Sequence, residues 1–332
     1  MSDRRLRIDF WDVGQGDASV IDLGNGELIV IDTGPSRSPL MDWLRQTPLK
    51  IHSLILTHND MDHAGLFESI LEELHPKIGH VYMLDDRPVA KEKAYFSLAR
   101  ARQRLGQIKL TRLEVEDGKR KKIWASPSVS TRFVAFHPEF ATAGDAIRKQ
   151  GKSNEVSGIL GLFVNQKPIV LWCGDAHMST VHKLCSQLDP VCVVGPHHGS
   201  PEDRDEDGYF DRFDGPNPET VFISVGGHKD HPRDKKFIRP HVQRGRRICC
   251  SQMKKRWCGK RRTKPLMSHH VQIGMIPPIQ SEKTLTCRGA MQLYVNVDGT
   301  TEWDPFHGLH RDRVAKLGRK AMCLAEERRM AT

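Results

Sequence analysis

The chemistry of this chain turns on Leu54-Ile55-Leu56-Thr57-His58-Asn59-Asp60-Met61-Asp62-His63-Ala64-Gly65-Leu66. His58, Asp60, Asp62 and His63 place four metal-competent side chains within six residues. Before them, Ile51 to Leu56 is an aliphatic run suited to a buried strand. After them, Leu66, Ile70, Leu71 and Leu74 recur at helical spacing and predict a helix from Asp62 to Leu74. The cluster therefore sits on a loop leaving the C-terminal end of a strand, where layered α/β proteins bind ligands. A helix would bring residues i and i+4 together, but these groups stand at i, i+2, i+4 and i+5. A tight loop can aim the first two at one point and the last two at a neighbouring one. That suits two cations about 3.5–4 Å apart that share and activate a water. The plainer reading makes Asp60 or Asp62 a helix N-cap, but a cap needs one carboxylate and no flanking histidines.

Upstream, Leu6, Ile8 and Phe10 alternate with polar residues, and two further strand-like runs (18–23 and 28–31) flank the turn Gly24-Asn25-Gly26, a hairpin signal. Asp12-Val13-Gly14-Gln15-Gly16-Asp17 separates the first two runs, and Ile31-Asp32-Thr33-Gly34 ends the third. Downstream come Gly151-Lys152-Ser153-Asn154-Glu155-Val156-Ser157, then a strand ending in Cys173-Gly174-Asp175-Ala176. A buried strand ends in Gly195-Pro196-His197-His198-Gly199-Ser200, and another leads to His228-Lys229-Asp230-His231-Pro232.

Thr57-His58-Asn59-Asp60-Met61-Asp62-His63 resembles the H-x-H-x-D-H signature of the metallo-β-lactamase-fold hydrolases, with Asp60 in place of the second histidine. That departure, with D-V-G-Q-G-D, I-D-T-G, G-D, H-H-G-S and H-P in this order over residues 8–232, resembles the hydrolase domain of bacterial competence DNA-uptake channel proteins (ComEC type) and their soluble relatives. The resemblance implies an α/β fold: an αββα four-layer sandwich of two mixed β-sheets with a dinuclear site at one edge. It implies His58, Asp60, Asp62, His63, Asp175 and His198 as metal ligands, with Asp175 bridging and His198 favoured over His197. Asp32 would brace the metal loop, and Gln15, Asp17, His197 and Ser200 would line or support the site. Asn154 stands where other members of the fold carry a third histidine, leaving the first metal short of a protein ligand. Asp62 and His231 are the catalytic candidates, His231 either ligating metal or donating to the leaving group. The implied cofactors are two divalent ions. Oxygen donors at Asp60 move preference towards Mn2+ or Mg2+, although Zn2+ still binds strongly. The expected reaction is phosphodiester cleavage of nucleic acid, DNA before RNA, alongside a partner protein of a defence or DNA-processing operon. The rivals are hydrolysis of a small ester, lactone or cyclic nucleotide, and a non-catalytic binding module.

Lys plus Arg exceed Asp plus Glu by 51 − 41 = 10, a surplus compatible with a polyanionic partner. Ten Lys or Arg and no acid fall between Gln243 and Lys264. No run of 18 apolar residues and no apolar signal core is present, which predicts a cytoplasmic protein without a membrane span. The eight unevenly spaced cysteines favour reduced thiols. The expected organisation is one hydrolase domain over 1–300, with a variable insertion at 85–130, an acidic loop at 202–218 and a helical tail at 301–332.

Overall fold

The computed structural model describes residues 5–84, 93–116, 118–126, 130–139, 153–200, 217–226, 237–254, 284–286 and 289–305. Short runs rich in Ile, Val, Leu and Phe fold as strands because branched and aromatic side chains pack well on a pleated surface. In chain order they are β1 (Leu6–Phe10), β2 (Ser19–Asp22), β3 (Glu27–Ile31), β4 (Lys50–Ile55), β5 (Ile78–Met83), β6 (Lys109–Arg112), β7 (Lys121–Ala125), β8 (Thr131–His137) and β9 (Ile159–Val164). There follow β10 (Lys167–Trp172), β11 (Cys192–Val194), β12 (Thr220–Ile223), β13 (Arg247–Cys250), β14 (Gln252–Lys254), β15 (Thr284–Thr286), β16 (Met291–Val295) and β17 (Thr301–Trp303).

One sheet runs β17-β16-β1-β2-β3-β4-β5-β6 and the other β13-β12-β11-β10-β9-β8-β7; β14 and β15 form a separate pair. Both large sheets are mixed. The hairpin strands β1, β2 and β3 are antiparallel, whereas β3 to β6 are parallel. Likewise β8, β9 and β10 are antiparallel, whereas β10 to β13 are parallel. Alternation within a strand divides its side chains between two cores. In β3, Ile29 and Ile31 face the second sheet, and Leu28 and Val30 face the helices outside. Helices Leu40–Gln46, Phe67–Glu73 and Lys93–Arg104 cover the outer face of the first sheet. Helix Met178–Cys185 covers that of the second with Val181 and Cys185. The result is the αββα sandwich of two mixed sheets that the sequence led us to expect.

Three expectations need correction or restriction. The helix expected from Asp62 to Leu74 is broken into Met61–Ala64 and Phe67–Glu73. Gly65 and Leu66 donate their backbone N–H groups to Gly34 O (2.9 Å) and Thr33 Oγ1 (3.2 Å), so the loop after β3 takes bonds that a continuous helix would use. A Cβ on Gly65 would stand 2.4 Å from Ser36 N, which is why no larger residue fits there. Within 85–130, read as an insertion, the described residues add an edge strand to each sheet, β6 to the first and β7 to the second. Where a helical tail was expected from 301, Thr301–Trp303 is a strand antiparallel to β16, because Trp303 packs on the core between the sheets. Residues 306–332 and the acidic segment 201–216 lie outside the described residues.

Phe10 sits at the centre of the sandwich, with ring centroids 5.5 Å from Phe222, 6.2 Å from Trp303 and 6.4 Å from Trp172. Phe10→Ala is expected to cost about 3–5 kcal/mol, read as a lower urea midpoint at unchanged slope. A second test concerns charge. Burial lifts the Asp9 carboxyl from 3.8 to about 6, outweighing Arg7 and Gln292, which lower it. An acid that holds its proton more tightly when folded contributes stability at low pH that is lost as pH rises from 3.8 to about 6. Asp9→Asn should flatten that part of the stability profile relative to wild type.

Candidate metal centre

The parallel halves of the two sheets present their C-terminal ends at one edge, and the candidate residues leave from those ends. Asp32 follows β3, the loop from Thr57 to His63 follows β4, Asp175 follows β10, and His197 and His198 follow β11. A short loop at each strand end can therefore converge on one point.

Asp175 lies at that point. Its Oδ1 stands 3.2 Å from His63 Nε2 and 3.5 Å from His198 Nε2. Its Oδ2 stands 3.5 Å from His58 Nε2 and 3.7 Å from His197 Nε2. Asp62 Oδ2 lies 3.3 Å from His198 Nε2, and Asp60 Oδ2 lies 3.7 Å from His58 Nε2. His63 Nε2 and His198 Nε2 are 3.3 Å apart. Donors about 2.0–2.2 Å from a shared tetrahedral ion stand roughly 3.3 Å from one another, so these separations fit a coordination shell. Two groups result, one on each oxygen of Asp175.

The outward nitrogens of His63 and His58 are held from behind, and that of His198 faces a carboxylate at longer range. Asp32 Oδ2 faces His63 Nδ1 at 2.8 Å and accepts from Thr57 Oγ1 at 2.7 Å, while Asp32 Oδ1 accepts the Thr57 backbone N–H at 2.8 Å. His58 Nδ1 lies 3.1 Å from Thr57 Oγ1 and 3.2 Å from Ser157 Oγ. Ser157 Oγ in turn accepts the Asp175 N–H at 2.9 Å. His198 Nδ1 lies 3.7 Å from Asp17 Oδ1. With the Thr57 hydroxyl given to Asp32, its lone pair faces His58 Nδ1–H. For His58 and His63 the inward Nε2 is thereby the atom presented to a metal, the orientation a ligand needs.

His58 Nε2 and Asp175 Oδ1 are buried and make no hydrogen bond despite these close neighbours. Buried polar atoms in that state signal a missing partner. Electrostatics point the same way. Burial alone would raise Asp62 and Asp175, but the His198 contact at Asp62 and the imidazoles around both carboxyls hold them below the ordinary range. Burial would lower His198, yet Asp175, Asp62 and Asp17 lift it to about 9. His63 is raised as well, by Asp175 and Asp32 against the pull of burial. The pocket is thus strongly negative and draws protons onto its imidazoles. Divalent cations would displace those protons on binding. The donor set therefore fits two divalent ions.

The structure brings together His58, Asp60, Asp62, His63, Asp175, His197 and His198. Asp60 occupies the N-cap of helix Met61–Ala64 but makes no side-chain cap bond, so capping does not explain its carboxylate. Asp32 and Asp17 stand behind His63 and His198. Gly16 presses on the metal loop: a Cβ there would lie 1.9 Å from Asp62 O. Its neighbour Gln15 abuts Gly226, whose Cβ would lie 2.2 Å from Gln15 N. Ser200 is buried and donates its N–H to His197 O at 2.8 Å. Asn154 is half-buried, and it is Ser157, three residues further on, that reaches His58. Sequence reasoning missed Thr57 and Ser157 as supports, although both lie inside the quoted motifs. His231 lies outside the described residues.

Asp32→Asn would turn an amide N–H towards Thr57 or His63 and favour the wrong imidazole tautomer. Metal affinity is expected to fall about 10–100-fold, measured by competition with a chelating dye.

A family model described as the metallo-beta-lactamase superfamily matches residues 11–220. Among curated proteins the chain finds no match. Among solved structures it is similar to a metallo hydrolase, Igni18, from Ignicoccus hospitalis, at 15% identity and TM-score 0.43, covering 74% of this chain and 94% of that one. It is also similar to the short form of human tRNase Z, at 13% identity and TM-score 0.39, covering 74% and 95%. The family model spans most of the chain and takes in the metal loop, Asp175 and the paired histidines: the chain belongs to the metallo-beta-lactamase superfamily of metal-dependent hydrolases.

Proposed function

We propose that this chain is a dinuclear-metal phosphodiesterase that cleaves nucleic acid, DNA before RNA, and that it is a soluble counterpart of the ComEC-type hydrolases. The observation that supports it most is the division of Asp175 between two donor groups, one of which is rich in oxygen. His58, Asp60 and Asp175 Oδ2 would hold one ion, and Asp62, His63, His198 and Asp175 Oδ1 the other. A carboxylate at Asp60 in place of an imidazole shifts the first position towards hard ions such as Mn2+, which suit phosphoryl oxygens. Bound there, two divalent ions would lower the pKa of a shared water and offset the charge that develops on phosphorus.

The chain's own groups supply the rest. Asp62, 31% exposed and held ionised, would take a proton from an incoming water. Asp32 would keep His63 oriented while charge changes beside it, and Asp17 would add negative charge behind His198. The surplus of ten positive charges favours a polyanionic substrate and speeds its approach at low salt. Among the described residues no helix is long and apolar enough to cross a membrane.

The test is a gel assay with Mn2+ on single-stranded DNA, duplex DNA and RNA, wild type beside Asp62→Ala. Wild type is expected to cleave DNA, and Asp62→Ala to be slower by more than about 100-fold, the upper cost of losing an outer partner. Turnover of small esters or cyclic nucleotides with intact DNA and RNA would replace this reading by small-molecule hydrolysis. Nucleic acid bound without cleavage, by a protein that retains no metal, would make it a binding module.

A further inference from the structure

We infer that His197 is the imidazole ligand of the first ion and takes the place of the third histidine that the segment around Asn154 lacks. This rests on the dinuclear reading above and adds a ligand that reading does not use.

The two adjacent histidines serve opposite sides of one carboxylate. His198 Nε2 approaches Asp175 Oδ1, the oxygen shared with His63, whereas His197 Nε2 approaches Asp175 Oδ2 at 3.7 Å, the oxygen shared with His58. Neighbouring residues on an ordinary loop would not straddle a single aspartate. Here they do because both lie in the left-handed region, His197 at φ 47 and ψ 44, His198 at φ 50 and ψ 32, followed by Gly199 at φ 74. L-residues avoid that conformation, and two in succession are rare. The backbone therefore holds an unfavourable shape whose effect is to separate two rings, with centroids 6.4 Å apart and planes at 65°. Such strain persists where the surroundings over-determine it, and it gathers at functional sites.

One further bond fixes the arrangement. His197 N–H donates to Gly174 O at 2.8 Å, which ties the paired histidines to the residue preceding Asp175. The His197 side chain is 22% exposed, against 0% for His58 and 1% for His198. It stands on the outer side of the first group. The first ion, held by His58, Asp60, Asp175 and His197, is the more accessible and more exchangeable of the two.

The test uses His197→Gly in the full chain, because glycine adopts φ 47 without strain. His197→Asn serves as a second variant that also tolerates this conformation. Apo proteins are loaded with Mn2+, and binding is followed by calorimetry and by electron paramagnetic resonance. Wild type should bind two ions and show an exchange-coupled pair. Both variants should unfold at no lower temperature than wild type in the apo form, bind one ion with wild-type affinity, and show an uncoupled six-line spectrum. Affinity for the other ion should fall by more than about 100-fold, and added imidazole should restore it in His197→Gly. Two ions bound with wild-type affinity in both variants would overturn the assignment and leave the dinuclear reading intact. Fewer than two ions in wild type would overturn both.

Discussion

Four carboxylates and three imidazoles meet in a largely buried space, and that electrostatic load governs the rest of this molecule. Asp17, Asp32, Asp175 and the partly open Asp62 surround His58, His63 and His198. Removing a carboxylate from water costs several kcal/mol unless something of opposite charge meets it. The imidazoles meet part of that charge by holding protons, as the raised values at His63 and His198 show. The inward lone pairs and the hydroxyls of Thr57 and Ser157 are arranged for a different answer, in which divalent charge replaces protons. The pocket is built for cations before any substrate arrives.

The architecture supports that load with strand ends and with backbone that few sequences could adopt. Parallel strands in both sheets bring loops from distant parts of the chain to one edge. Asp32 at φ 53 and the paired histidines are left-handed L-residues, while Gly16 and Gly226 let backbones meet where a Cβ would collide. Much of the strain and close approach gathers at the site, and the two sheets behind it bury a large apolar core. Stability made in the core thus offsets strain at the rim.

Much of this was legible beforehand. The loop from His58 to His63 declared itself because its spacing serves no helix and no cap, and the turn Gly24-Asn25-Gly26 fixed a hairpin. Gly174-Asp175 and the paired histidines fell where strand ends were expected. Other features were hidden for physical reasons. Thr57 and Ser157 are among the commonest side chains at loop ends, and only their distances to His58 mark them. The helix break at Gly65 arises from bonds to a loop thirty residues away. Strands β6 (KLTR) and β7 (KKIWA) carry too few apolar residues to alternate visibly, since edge strands are largely solvated. Which histidine faces which oxygen depends on the backbone torsions of His197 and His198, which sequence does not display.

The family match ends at residue 220, yet the first sheet does not. Its β1 is flanked on one side by β2 and on the other by β16, which arrives some 280 residues later and pairs Ile8 with Leu293. The opening and closing parts of the chain are therefore zipped together in the middle of a sheet. A fragment trimmed to the matched span would lose β1, with Phe10, as well as β16, and would bare the hydrogen-bonding edge of β2. Such an edge recruits strands from other copies, so trimming would yield a sticky, self-associating product.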